Sequence, residues 1–292
     1  MTKCKICDSK DIEHIFFSKE THGKSMKKGE ETFDILKCNK CECLFISNLK
    51  IDSEYYKKYY NIGYYRNKRS RSILNFLEKL LFNYSVKRKE KIILNFFEDK
   101  IKRLKILDIG CGNGDFLEKL DNKYFDKNGV EINSEGIKLC KKRGINIINK
   151  EITKFNFKNE KFDVVTMWHV LEHVNNPIET LKKIKKILTD DGIFIFQVPN
   201  TNSLGFKFGK QNWFHLDSPR HLILYNSTCI NELFKRTGFK LIKTKNEFYD
   251  YPLDLFWSIR KSKIKYVFYP LYPLIKLLSK ENFTVICKNE RQ

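Results

Sequence analysis

The sequence predicts an α/β protein: a doubly wound, mostly parallel sheet of seven strands, with a small cysteine-rich module on its N-terminal side. Three observations predict it. From residue 104 onward, short apolar runs alternate with amphipathic stretches at the rhythm of strand–helix–strand units. A glycine-rich turn, Gly110-Cys111-Gly112-Asn113-Gly114, follows the first of those runs. Four cysteines fall into two C-x2-C pairs upstream of it.

The elements follow in order. Leu104 to Ile109 reads as the first strand, and Phe116, Leu117 and Leu120 as one face of the first helix. Lys127 to Glu131 is the second strand, Gly136 to Arg143 a helix, Asn146 to Asn149 the third strand and Phe162 to Met167 the fourth. Pro177 opens a helix with Ile178, Leu181, Ile184, Ile187 and Leu188 inward; Asp191-Gly192 stops it before a fifth strand, Ile193 to Val198. Lys240 to Lys245 and Phe283 to Lys288 are the last two. Right-handed crossovers between such strands wind a sheet in both directions.

The 292 residues, 41 % of them hydrophobic, suffice for one enzyme domain plus an accessory module. The pattern divides them into a metal-binding module (1–50), a helical connector (51–100) and a catalytic domain (101–292). The start has no apolar stretch suited to a secretory signal, and no window of membrane length is free of charge. Nine cysteines in that setting read as thiols or metal ligands of a cytoplasmic protein, not as disulfides. The net charge is +21, carried mostly by lysine. It leaves two readings open, a solvated Lys-rich surface or a footprint for nucleic acid.

Cys4-Lys-Ile-Cys7 and Cys38-Asn-Lys-Cys41 give two tight turns, and four thiolates from two such turns close a tetrahedral Zn2+ site. All four positions come from protein, so the zinc is expected to be structural. Cys43 reads as a small buried residue, and His14 and His22 are not needed as ligands. Ile15 to Phe17 and Phe33 to Leu36 read as short strands. So few apolar residues lie here that the metal is expected to supply folding energy. In the connector, Tyr55, Tyr56, Tyr59, Tyr60, Tyr64 and Tyr65 read either as a lid or as packing. Helical spacing follows through Ile73, Leu74, Leu77, Leu80 and Leu81, and again through Ile92, Ile93, Phe96 and Phe97.

The glycine turn carries the functional reading. A parallel sheet binds ligands at the carboxyl ends of its strands. A dinucleotide site would show G-x-G-x-x-G, but here Asp115 takes the last position and the pattern is G-x-G-x-G. Glu131, ending the second strand, is placed to accept ribose hydroxyls. The site therefore asks for a nucleoside without provision for a pyrophosphate. Asp108 to Gly114 with Glu131 resembles the signature of class I S-adenosylmethionine-dependent methyltransferases. The similarity extends through Phe162 to Val174 and through Asp191-Gly192 to Val198, over roughly residues 104 to 245. It implies a Rossmann-like methyltransferase fold behind a zinc-ribbon-like module. In it Asp108 holds the loop or the amino group of methionine, Gly110 and Gly112 line the methionine part, Glu131 meets the ribose and Glu151 the adenine, and Cys111, Gly114 and Trp168 also belong to the cofactor site.

Methyl transfer to a hydroxyl calls for a base. His169, just past the fourth strand, is one candidate. With Glu172 and His173 it spells H-x-x-E-H, but a segment leaving a buried strand is no zinc-peptidase helix. The loop after the fifth strand offers His215 and His221, with Trp213, Asp217 and Arg220 nearby. Pro219-Arg220-His221-Leu222 followed by Tyr225 resembles a subgroup of small-molecule methyltransferases with cysteine-rich N-terminal modules, acting on sugars or quinone-like hydroxyls. Phe256 to Leu278 is aromatic, basic and apolar by turns; residues 255–280 read as a packed cap, a dimer contact or a peripheral membrane surface. The expectation is methyl transfer to a sugar or nucleotide-sugar hydroxyl for surface glycans. An RNA methyltransferase and a non-catalytic cofactor-binding scaffold are the rivals.

Overall fold

The structure, a computed structural model, describes residues 2–21, 28–47, 49–60, 73–97, 103–247 and 250–290. His22, Tyr64 and Tyr65 lie outside the described residues.

Ile12–Thr21 (β1) and Lys28–Cys38 (β2) pair as an antiparallel hairpin, longer than the two short runs predict, and Leu44–Ile46 (β3) joins β2. Ser53–Tyr59 (α1) starts at Asp52, whose Oδ1 accepts from the N–H groups of Glu54 and Tyr55. Ile73–Leu94 (α2) is one continuous helix. Then come Leu104–Ile109 (β4), Asp115–Lys119 (α3), Phe125–Val130 (β5), Ser134–Lys142 (α4), Asn146–Ile148 (β6), Phe162–Trp168 (β7), Pro177–Ile187 (α5) and Leu188–Pro199 (β8). Leu204–Gly209 (α6), Ile223–Leu224 (β9), Ser227–Thr237 (α7) and Phe239–Glu247 (β10) follow. Asp254–Ile259 (α8), Lys265–Phe268 (α9), Tyr272–Leu278 (α10) and Asn282–Asn289 (β11) complete the chain.

The large sheet has seven strands in the order β10-β11-β8-β7-β4-β5-β6. β11 runs against the other six strands, antiparallel to both its neighbours, β8 and β10. β4 pairs in parallel with both β5 and β7, so the winding reverses between β4 and β7 and a crevice opens at their carboxyl ends. The sheet is thus the α/β, Rossmann-like one expected.

The stop signal before β8 is corrected. α5 ends at Ile187, and Leu188 is already strand, paired with Phe162. Wholly buried Leu188 is drawn into the sheet, and the register shifts before Ile193 meets Val164. Asp190 and Asp191 fall in that irregularity, exposed, inside one long strand rather than ahead of it.

The N-terminal sheet is completed from outside its own segment: β9 pairs with β3, giving the order β1-β2-β3-β9. Cys4, Ile6, Cys41 and Phe45 share one core with Ile223, Tyr225, Cys229 and Leu233. The shortage of apolar residues in the N-terminal segment is therefore met by a core held in common with β9 and α7.

Candidate active site

The turn after β4 is built around close approach. Gly110 has φ +69°, and a Cβ on it would stand 2.6 Å from Val170 Cγ2. Gly114 has φ +77°, and its Cβ would stand 2.6 Å from Ile145 Cδ1. Both positions exclude a side chain, which lets the turn press against the segment after β7 on one side and α4 on the other. Cys111 contributes backbone to this turn; its thiol faces inward, 3.8 Å from Cys140 Sγ.

Two buried acids flank the turn. Asp108 accepts a 2.7 Å hydrogen bond from Thr166 Oγ1, and burial pushes its carboxyl up to about 7, against the pull of that bond and of Lys89. Glu131, just past β5, is held by backbone: Gly112 N–H at 2.9 Å, Ile132 N–H at 2.8 Å and Asn133 N–H at 2.7 Å. Burial raises its carboxyl and those three bonds oppose the rise. Glu151 lies three residues past β6, half-exposed, and pairs with Lys154 at 3.0 Å.

Beside this edge, β7 ends on Trp168. Its ring lies 4.2 Å from Lys89 Nζ and edge-on to Phe116, and its indole N–H is buried with no partner among the described residues. His169 follows with φ +55°, an uncommon backbone for a non-glycine residue, pinned by its N–H to Gln197 O at 3.0 Å. Its Nδ1 stands 3.6 Å from Glu172 Oε1 and its Nε2 4.0 Å from Asp250 Oδ2. That Nε2 is buried and unbonded among the described residues.

A family model described as "Methyltransferase domain" matches residues 69–244, more than half of the chain. The chain belongs to that family. A ubiquinone biosynthesis O-methyltransferase of Actinobacillus pleuropneumoniae serotype 5b is 29% identical over 121 residues, 37% of this chain and 52% of the relative. The chain thus matches about half the length of that relative. An uncharacterized protein of Methanocaldococcus jannaschii is 27% identical over 235 residues, 76% of this chain and 80% of its own. Among solved structures, magnesium protoporphyrin IX methyltransferase from Synechocystis PCC 6803 with bound SAH superposes with TM-score 0.56 at 11% identity, over 81% of this chain and 99% of that one. The plantazolicin methyltransferase in complex with SAH gives TM-score 0.52 at 18% identity, over 78% and 93%. At such identities the likeness is one of fold.

In this methyltransferase the three singled-out histidines converge from two segments, the end of β7 and the loop before β9. His169 and His221 both face Glu172, whose carboxylate is fully buried; His221 Nε2 stands 3.9 Å from Oε1. His169 and His215 both lie edge-on to the Tyr251 ring. His221 Nδ1 bonds the His215 carbonyl at 2.7 Å, so that nitrogen carries the proton. His215 is spoken for: its Nε2 bonds Asp254 Oδ2 at 2.9 Å, and Asp254 also pairs with Lys276. Burial lowers the pKa of His215 and His221, and takes His173 down to about 4. Burial would raise Glu172, but the close His169, His221 and His173 rings hold it down to about 2.

Other residues join the site that the sequence does not flag. Asp250 accepts from Ser85 Oγ at 2.6 Å, Gln197 Nε2 at 2.7 Å and Lys89 Nζ at 3.1 Å, joining α2 to the floor below His169. Against burial, Lys89 and His169 hold its carboxyl well below the usual range. Tyr60 Oη lies 2.9 Å from His173 Nδ1, while Tyr55 packs inside and donates to Pro219 O at 3.2 Å. One tyrosine run thus supplies both internal packing and a contact to His173. Asp250 stands alone in an unpatterned stretch, and only the heavy use of tyrosine hinted at Tyr60.

The cysteine pairs meet as their spacing predicts. Cys4 and Cys41 sulfurs are 3.5 Å apart, Cys7 and Cys38 sulfurs 3.5 Å, and all four lie within 4.8 Å of one another. Each pair closes the same turn: Asp8 N–H donates to Cys4 O, and Glu42 N–H to Cys38 O, with both Asp8 and Glu42 at positive φ. Thiolates about 2.3 Å from a tetrahedral ion stand roughly 3.8 Å apart, so this donor set suits one. Cys43 is buried, as expected, with Cys229 of α7 against it. His14 pairs with Asp34 instead.

Proposed function

We propose that the protein methylates a hydroxyl of a small polar acceptor, a sugar or nucleotide-sugar, using S-adenosylmethionine. The observation that carries this is His169 Nε2: buried, unbonded, held on a left-handed backbone beside the glycine turn. Asp108, Gly110, Cys111, Gly112 and Gly114 would hold the methionine part, Glu131 the ribose, Glu151 the adenine, and Trp168 would wall the site. The cofactor supplies an activated methyl on a sulfonium. His169 takes the acceptor's hydroxyl proton, with Glu172 and Asp250 placed to stabilise the imidazolium that results. His221 shares Glu172 and stands next in line, while His215 holds the loop through Asp254. A wall of His, Glu, Arg and Tyr groups suits a polyhydroxylated acceptor better than an apolar ring. The O-methyltransferase among the relatives supports hydroxyl chemistry.

The cysteine cluster is proposed to hold structural Zn2+, tying β2 to the core shared with β9 and α7.

Methyl-labelled S-adenosylmethionine, purified enzyme and a host lysate split into sugar, lipid, protein and RNA fractions test the reading. Label in the sugar fraction, lost in His169→Ala while cofactor binding persists, is the expected result. Label in RNA overturns the acceptor and turns the +21 charge into a footprint.

A further inference from the structure

Between β10 and β11 the chain carries a helix turned inside out. In α10 the charged residue is the buried one: Lys276 points inward to Asp254. The leucines point out, with Leu274 63%, Leu277 52% and Leu278 69% exposed. Leu271, Leu274 and Leu278 recur at helical spacing along one stripe. Tyr266 and Val267 of α9, 74% and 59% exposed, add to the apolar surface. A helix facing water has the opposite arrangement, so this surface calls for an apolar partner.

Charge says which partner. Residues 255–280 hold six Lys and Arg and no Asp or Glu. Lys261, Lys263 and Lys280 are exposed. The acids at either end are buried and engaged, Asp254 with His215 and Lys276, Glu281 with Trp213 Nε1 and Gly205 N–H. Within this segment the exposed charge is therefore all cationic. A symmetric contact between two copies would set that charge against itself. Leucines ringed by lysines match an anionic bilayer, where apolar side chains enter the acyl boundary and ammonium groups reach the phosphates. No helix among the described residues is long and apolar enough to cross a membrane, so the contact lies in the surface plane.

We propose that α9 and α10 dock the enzyme on an anionic lipid surface. Lys276 and His215 share Asp254, so the docking helix is joined by two short contacts to the loop that carries the acceptor-side histidines. Docking would hold the acceptor edge at a set height above the headgroups.

Sedimentation of the full chain with vesicles tests this. Vesicles of phosphatidylcholine containing phosphatidylglycerol should bind it, and pure phosphatidylcholine should bind at least tenfold less. Leu274→Glu with Leu278→Glu should cut binding tenfold or more while melting temperature and S-adenosylmethionine affinity stay unchanged. Lys261→Glu with Lys263→Glu should weaken only the anionic vesicles. Phe17→Glu, at an exposed apolar site on β1, is the control that should leave binding intact. Unchanged binding in the leucine variant overturns the proposal. So does a dimer in light scattering that the leucine variant splits and that ignores vesicles, since the surface then belongs to a second copy. None of these readouts depends on the acceptor.

Discussion

Glu131 and Glu172 are both buried glutamates of one crevice, yet they are kept there by different means. Glu131 takes three hydrogen bonds from backbone N–H groups, two of them from the residues that follow it. Glu172 has no hydrogen-bond donor on either oxygen among the described residues and is surrounded instead by His169, His173 and His221. The first arrangement is local and rigid, ready to receive a ligand whose shape does not vary. The second is a balance of charge among side chains from different segments. It costs more to assemble, and it leaves His169 Nε2 buried with no partner among the described residues.

Breaking the cofactor side should have the largest effect. Gly110→Ala places a methyl 2.6 Å from Val170 at a positive φ, and calorimetry should find S-adenosylmethionine affinity down by a hundredfold or more. Activity would fall with it. An affinity within threefold of wild type would mean that the turn does not touch the cofactor.

A crossed pair sharpens the contrast next. Glu131→Gln should weaken cofactor binding with a smaller effect on turnover at saturation. Glu172→Gln should leave cofactor affinity alone and lower kcat by about 10²-fold, within the range of general base catalysis. If both variants fail in the same parameter, the two edges are not separable.

Asp108 gives a pH signature. Its carboxyl is raised to about 7 in the fold from a usual value of 3.8. The folded chain therefore keeps a proton that the unfolded chain loses, and the group's contribution to stability declines as pH rises from about 4 and levels off above about 7. Cofactor binding shows the opposite trend: an ammonium group favours the ionised form, so affinity should climb up to pH 7 and then level. Asp108→Asn should flatten both curves in scanning calorimetry and titration. A cofactor affinity with the same pH slope in that variant would place the titrating group elsewhere.

Glu151→Gln should have the smallest effect. The residue is half-exposed and its pair with Lys154 is worth under about 1 kcal/mol. A threefold loss of cofactor affinity is expected from a lost adenine contact, and no change removes Glu151 from the site.

What was legible follows the same division. The glycine turn, Asp108 and Glu131 lie within one strand–turn–helix–strand stretch, so spacing alone announces them. The cysteine pairs are legible for the same reason, as each pair is a single turn. Asp250 and Lys89 were not, because neither has a local pattern and they meet only when α2 lies across the sheet. His215 and His169 were both base candidates in the sequence, on different signals, and only the neighbouring Asp254 separates an engaged ring from a free nitrogen.

By itself the sequence determined the succession of the seven strands of the large sheet, the glycine turn after the first of them and the two metal-suited knuckles. These are short-range consequences of backbone geometry and residue spacing. The tertiary structure decided which histidine keeps an open nitrogen, that β9 completes the N-terminal sheet, and that α10 hides its lysine and shows its leucines. Each of those depends on what a side chain meets across the fold, and hydrophobic periodicity carries no information about that.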